Sequence, residues 1–267
     1  MSLRIPASML LAAMLAGVGA SASDLPDRVQ RRGTLTAGIS HVAPAYVAGA
    51  KFRTPEAIEA ALAENLAQRL SAKPAVVPAA PAQRLQLLGA GQADLLLTTV
   101  AESDALRRAA TVVPTGYTVG PMAILRSDTT IKRWEQLKGR TVCVAGDGRY
   151  AGTIAAQYGA IEKVFKAPAD SLLALRIGQC DAAVHDSALL EDLIKLPEWK
   201  KFSATLPTGP RIPLVFAAPA GDARARAFLQ QVAADWRSSG YLAQLNRQRA
   251  RNIAFEVYLD QDVPDCH

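Results

Sequence analysis

Few residues in this chain have the type and spacing that chemistry requires. Histidine occurs at 41, 185 and 267, and no two of these stand at the separation of paired metal ligands. His185, Asp186 and Ser187 offer the residue types of a hydrolytic relay, yet consecutive residues on a strand face opposite ways and cannot pass a proton along a line. Asp186 is placed for a different task. It ends the apolar run DAAVH at 181–185, and open α/β sheets hold ligands beyond the carboxyl ends of their strands; the alternative is that it caps the helix that follows. The loop Gly146-Asp147-Gly148-Arg149 opens a helix after the run RTVCVA at 140–145, where bare backbone N–H groups can take a carboxylate. Gly146-x-Gly148 alone is too common to mark a nucleotide site, and the chain has no G-x-S-x-G, Walker or dinucleotide motif. The expectation is therefore a binding protein with no catalytic residue, metal or cofactor. Were it an enzyme, its acid or base would have to be Glu59, Glu102 or His185.

The elements that must position these residues alternate between strand and helix patterns. Residues 34–40 (TLTAGIS) read as a buried strand, and 55–70 as a helix with Ile58, Leu62, Leu66 and Leu70 on one stripe, Thr54 as N-cap and Pro55 in the first turn. A strand at 75–77, a helix at 83–89 and a strand at 94–100 (DLLLTTV) complete a first βα module. The grammar restarts after Leu125: helix 134–138, strand 140–145, helices 152–158 and 171–177, strand 181–185 and helix 188–194. A long helix over 222–241, broken at Gly240, and a shorter basic helix end the chain. Alternation of this kind argues for parallel βαβ units, and two modules in tandem for two lobes with a cleft between them.

Residues 1–23 read as an export signal: Arg4 is the positive end, 9–18 is an apolar run too short to span a bilayer, and Ala20-Ser21-Ala22 offers a cleavage site near Ala22 or Ser23. The remainder is expected to be soluble and periplasmic, and long enough for two lobes of roughly 100 residues each. A formal charge of +6, from 30 basic and 24 acidic residues, is mild, and its densest basic group, Arg247, Arg249 and Arg251, lacks the interleaved aromatics of a nucleic-acid surface. It reads as a solvated helix face. Of three cysteines in an exported chain, Cys143 and Cys180 sit at strands in the same half and form the expected disulfide, leaving penultimate Cys266 free.

From end to end this order of segments resembles the family 3 extracellular solute-binding proteins, the periplasmic amino-acid receptors of ABC importers. GISHVAPAY at 38–46 lies over the family's first strand and its Pro-Pro-aromatic loop, with Tyr46 at the aromatic. RLQLLGAGQAD at 84–94 matches the helix, Gly turn and Asp before the third strand, and Glu59 stands where an acidic residue is usual. TVCVAG at 141–146 and GQCDAAVHD at 178–186 look like the segments that members for polar and general L-amino acids join by a disulfide, which sharpens the pairing of Cys143 with Cys180. The sequence departs from the family at Ser40 and Ala43 in the first loop, at Ala57-Ile58, and at Asp147-Gly148, where Thr or Ser is usual.

The resemblance implies a two-lobed type II periplasmic binding fold of α/β class, each lobe a mostly parallel sheet flanked by helices. Lobe 1 would comprise 24–124 and 217–267, lobe 2 would comprise 125–216, and two crossover strands near Leu125 and Phe216 would join them, with the C-terminal helices returning to lobe 1. It also implies a ligand set. Arg107, ten residues before Tyr117, would hold a ligand carboxylate with Arg108 as its rival, Asp186 would hold the ammonium, and Tyr46, Thr99, Gly148 and Arg149 would complete the site. The implied partners are an amino acid or related acid and an inner-membrane ABC permease, with the protein a monomer and no nucleic acid involved. Two other roles fit the same fold: a periplasmic dehydratase-type enzyme, and a degenerate accessory protein without an amino-acid ligand.

Overall fold

A computed structural model describes residues 24–43 and 47–261. The expected export signal, Tyr46, Cys266 and His267 lie outside the described residues. The chain enters through a helix that the sequence patterns do not announce, α1 (Leu25–Arg32), capped by Asp24 and ended at Gly33. There follow β1 (Thr34–Ile39), α2 (Glu59–Arg69), β2 (Lys73–Pro78), α3 (Arg84–Gly89), β3 (Leu95–Thr99), the single turn α4 (Leu106–Ala109) and β4 (Ala110–Val119). The second unit runs through β5 (Pro121–Leu125), β6 (Thr141–Ala145), α5 (Thr153–Tyr158), β7 (Ile161–Phe165), α6 (Pro168–Arg176), β8 (Ala182–Asp186), α7 (Ser187–Leu193) and the short β9 (Ala204–Thr205). The chain then returns through β10 (Ile212–Pro219) to α8 (Ala223–Ser238) and α9 (Tyr241–Asp260).

Two five-stranded sheets result, ordered β2-β1-β3-β10-β4 and β7-β6-β8-β5-β9. In each, three strands are parallel and two are joined antiparallel at one side, so the lobes are copies of one topology. Leu35, Ile39, Leu62, Leu66, Leu97 and Phe216 fill the first core with Leu229 and Trp236 of α8, while Leu172, Leu189, Leu193 and Trp199 fill the second. Cys143 of β6 and Cys180 ahead of β8 are joined as a disulfide inside the second lobe, their Cα atoms 5.8 Å apart.

The lobes meet elsewhere than the sequence suggests. The chain first changes sheet at Gly120, not Leu125, because Met122 and Ile124 of β5 are buried in the second core. It returns through 206–211, since β10 pairs with β3 and β4 from Ile212 onward and carries Phe216 into the first core. A Cβ on Gly120 would stand 2.9 Å from the Pro210 carbonyl, so the two connections touch and form one hinge. The C-terminal pair does not return to lobe 1 as a unit. Helix α8 does, but α9, the longer of the two, begins against the first core through Tyr241, Leu242 and Leu245 and buries Ala250, Ile253, Ala254 and Val257 in the second. At ~1.5–3 kcal/mol for a buried aliphatic side chain, Ile253 and Val257 hold that end firmly.

Candidate functional site

The cleft is built around a strap, residues 51–58, whose second half the sequence assigns to a helix. Helix α2 starts only at Glu59, with Ile58 as an N-cap that makes no side-chain hydrogen bond. Thr54 and Pro55 do not begin it because their polar atoms are engaged across the cleft. The Thr54 N–H and hydroxyl donate to the Glu256 carboxylate of α9, at 3.0 and 2.6 Å, and the Pro55 carbonyl accepts from Arg249, also of α9. Lys51 pairs with Asp260 at 2.6 Å, and Arg53 pairs with Asp170 of α6 at 2.7 Å and with Asp260. Burial pushes the Glu256 carboxyl up from its ordinary value despite the Thr54 donors.

Glu56 is the centre of the strap. Its N–H donates to Asp147 Oδ2 at 3.1 Å and its carbonyl accepts from the Arg249 guanidinium. Its side chain crosses to the end of β8, where Oε1 accepts the Asp186 N–H at 2.8 Å and Oε2 lies 2.9 Å from His185 Nδ1. Both oxygens thus receive donors from lobe 2. The far nitrogen of the ring, Nε2, is 2.9 Å from Ser171 Oγ; with Nδ1 donating to Glu56, Nε2 accepts the serine hydroxyl in a neutral ring and donates to its oxygen in an imidazolium. Serine, histidine and glutamate in line have the connectivity of a hydrolytic relay, made by residues 171, 185 and 56 and not by 185–187. Ser171 and His185 are nevertheless fully buried, and Glu56 is 4% exposed, so no substrate carbonyl can reach the hydroxyl in this arrangement. The three act as a tie between lobes.

Glu56, Glu59, Asp147, Gly148, Arg149, Asp186 and Val119 line an interlobe cavity of about 10 Å³. Roughly one water fills such a space, whereas small-molecule pockets run to ~300 Å³ and above. Arg149, reaching from the loop before α5, pairs with Glu59 and places Nη1 3.4 Å from Ser40 Oγ. Glu59 Oε2 and Asp147 Oδ1 are buried with no hydrogen-bond partner among the described residues. Burial pushes the carboxyls of Asp147 and Asp186 up to about 6; at Asp147 the Glu56 N–H opposes this more than the Glu56 charge adds to it, and at Asp186 the Glu56 charge adds to it while the Gly120 N–H, Arg149 and Arg249 oppose it. Burial lowers Arg149 from its ordinary value. Outward of this cavity a hollow of about 460 Å³ opens between the first-lobe loop (His41, Ala43, Lys51) and Gly146, Asp147 and Lys166 of the second lobe.

The structure therefore brings Gly148, Arg149 and Asp186 to one cavity. It does not bring Arg107 or Thr99 to it. Arg107 is exposed on α4, its guanidinium donating to the carbonyls of Ala101 (2.9 Å) and Val100 (3.3 Å); Leu106 is the buried residue of that turn and directs its neighbours outward. Arg108 is exposed beside it. Thr99 ends β3, and its carbonyl accepts from Arg84 at 3.3 Å. Asp186 accepts the Gly120 N–H at 3.2 Å and makes no side-chain cap for α7, so it faces the hinge and the cleft and not the helix. Sequence reasoning misses Glu56, Asp147 as a side chain, and Arg249, which belongs to the basic group that reads as a solvated face yet is only 6% exposed. The pair Glu56 and Glu59 beside a helix start was the available signal.

No family model matches the chain, and no curated protein does. Solved structures do. An arginine-binding protein of T. maritima, as a P235GK mutant, covers 84% of this chain and 98% of its own at 20% identity and a TM-score of 0.57. An ancestral cationic amino acid solute-binding protein aligns over 84% of this chain and 98% of its own at 20% identity and a TM-score of 0.60. A cysteine-binding protein of Campylobacter jejuni covers 91% of this chain and 97% of its own at 17% identity and a TM-score of 0.55. The likeness is one of fold: this chain has the two-lobed architecture of the periplasmic amino-acid-binding proteins.

Proposed function

We propose that this chain is an exported, hinge-bending receptor that closes around a small amino-acid-like solute carrying a cationic nitrogen, and that the closed form is what an inner-membrane ABC permease recognises. The observation that carries this reading is the convergence of Glu59, from lobe 1, with Asp147 and Asp186, from lobe 2, on one cavity in which Glu59 and Asp147 each have a buried oxygen that no described residue donates to. A ligand ammonium or guanidinium would supply donors to these two oxygens and take over Glu59 from Arg149, which with the Gly148 backbone could then turn to its carboxylate. A solute that bridges the lobes favours closure by its differential affinity for the two arrangements.

The test is thermal shift and calorimetry of the full chain against amino acids and related acids. Saturable stabilisation, on the order of 3 kcal/mol at a hundredfold excess over Kd, without consumption of the solute, supports a receptor. Stabilisation by none of them overturns it, and turnover moves the protein to the enzymes. A second reading has its own support: an inner cavity of about 10 Å³ suits an accessory protein already closed on itself. Small-angle scattering separates the two, since a receptor contracts on adding solute and a self-closed accessory does not.

A further inference from the structure

We infer that the end of β8 is a carboxylate receptor occupied by the chain's own Glu56, and that a free carboxylate of the acetate class binds there once that side chain is withdrawn. The Glu56 carboxylate is held as a bound anion would be. One oxygen takes the main-chain N–H of Asp186 at 2.8 Å and the other faces His185 Nδ1 at 2.9 Å, itself backed by Ser171 Oγ. Glycine at 148 admits it: a Cβ there would lie 2.4 Å from Glu56 Oε2 and 2.9 Å from its Cδ. The receiving groups are enclosed, with Ser171 and His185 at 0% and Asp186 at 5% exposure. No ligand-sized space remains beside them while Glu56 is in place.

The strap is held independently of that side chain, which makes the idea testable. The Glu56 N–H bonds to Asp147 and its carbonyl to Arg249, and Thr54 and Arg53 are fixed to Glu256 and Asp170 on their own account. Glu56→Ala removes a methylene and a carboxylate, the outline of acetate, from an otherwise intact wall. An incoming ligand carboxylate has to compete with a tethered one, whose effective concentration is high, so the wild-type cleft discriminates against weak acids. This inference rests on reading the cleft as a ligand site and names the group that guards it.

The experiment compares wild-type, Glu56→Ala and Glu56→Gln full-length protein by thermal denaturation in sodium acetate, sodium chloride and acetamide at matched ionic strength. Glu56→Ala is expected to melt on the order of 5–10 °C below wild type, with acetate restoring at least half of that saturably. Chloride and acetamide should not restore it, and acetate should leave wild type and Glu56→Gln unmoved. Acetate acting no better than chloride on Glu56→Ala, or equally on wild type, overturns the inference. Should Glu56→Ala not fold in chloride, acetate present during refolding is expected to recover it, and failure to do so is equally decisive against the receptor. A wild-type response to amino acids without acetate rescue removes this inference alone; rescue without any such response leaves the receptor and removes the solute-capture reading.

Discussion

The two lobes share a strand order but reach the cleft by opposite means. Lobe 2 presents the ends of its strands and the turns attached to them: Asp186 at the end of β8, and Asp147, Gly148 and Arg149 after β6. These positions are fixed by a buried sheet that a disulfide crosses. Lobe 1 contributes nothing to the inner cavity from the end of β3; besides Val119 and Glu59, the first residue of α2, it sends in a non-helical strap anchored in its own core at Ile58 and otherwise set by contacts with lobe 2 and with α9. Residues at strand ends inherit their geometry from hydrophobic patterns, whereas a strap inherits its geometry from tertiary partners.

The largest way to sharpen that contrast is to weaken lobe 2 alone. Replacing both Cys143 and Cys180 by alanine releases a loop with a sequence separation of 37 and is expected to cost about 4 kcal/mol, all of it in lobe 2. Calorimetry should show one transition splitting into two, the earlier belonging to the second lobe. Equal displacement of a single transition would show the lobes to be one cooperative unit.

Next in size is Arg249→Met. The guanidinium is buried and donates to the carbonyls of Glu56 and Pro55 and, at 3.2 Å, to Asn246, which also receives the Tyr117 hydroxyl at 3.2 Å. Losing it leaves buried acceptors unpaired, at about 3 kcal/mol in all. The strap should loosen before either core does, with hydrogen exchange rising first at 53–58; uniform exchange throughout would show the strap to be no separate element.

What the sequence made legible follows the same division. Strands β1, β3, β6 and β8 are short apolar runs bounded by glycine or aspartate, and their apolarity is the reason they are buried, so pattern and structure agree. The disulfide was legible because two cysteines sit at strands in one half, a pairing that the family resemblance sharpens. Strand β4 escaped because Pro114 and Gly116 interrupt its alternation, and β7 because an edge strand carries Glu162 and Lys163 and exposes Ile161 and Val164. The late start of α2 and the burial of Arg249 could not be read locally. Thr54-Pro55 is a sound helix start whose atoms are taken by α9, 194 or more residues away, and an arginine inside a basic run gives no sign that its neighbours alone face water.

Acidity probes the second lobe's contribution directly. Asp186 and Asp147 have ordinary values near 3.8 and are raised to about 6 in the folded protein by burial, so the folded form takes up protons more readily than the unfolded one. Stability from this source is fully present below about pH 4, declines as pH rises toward 6, and stays lost above it, by roughly 3 kcal/mol per carboxylate at ~1.36 kcal/mol per pH unit. Asp186→Asn keeps an acceptor for the Gly120 N–H and removes the charge. Its melting temperature relative to wild type should therefore climb between pH 4 and pH 6 and be flat on either side. A difference independent of pH would show that Asp186 titrates in the folded protein as it does in the unfolded chain.

The smallest expected effect bears most directly on the comparison. Arg107 stands where the family resemblance asks lobe 1 for a carboxylate-binding cation, yet its guanidinium is exposed and bonded only to the carbonyls of its own loop, at 2.9 and 3.3 Å. Exposed side chains of that kind change stability by less than about 0.5 kcal/mol on truncation. Arg107→Ala should therefore melt within a degree or two of wild type and respond unchanged to any solute that stabilises it, while Arg149→Ala, which removes the cation of the cavity, should lose that response. The reverse outcome, solute binding abolished by Arg107→Ala and spared by Arg149→Ala, would mean that α4 swings into the cleft when the lobes part. Lobe 1 would then supply a side chain from a fixed element after all, and the asymmetry between the lobes would belong to the closed arrangement alone.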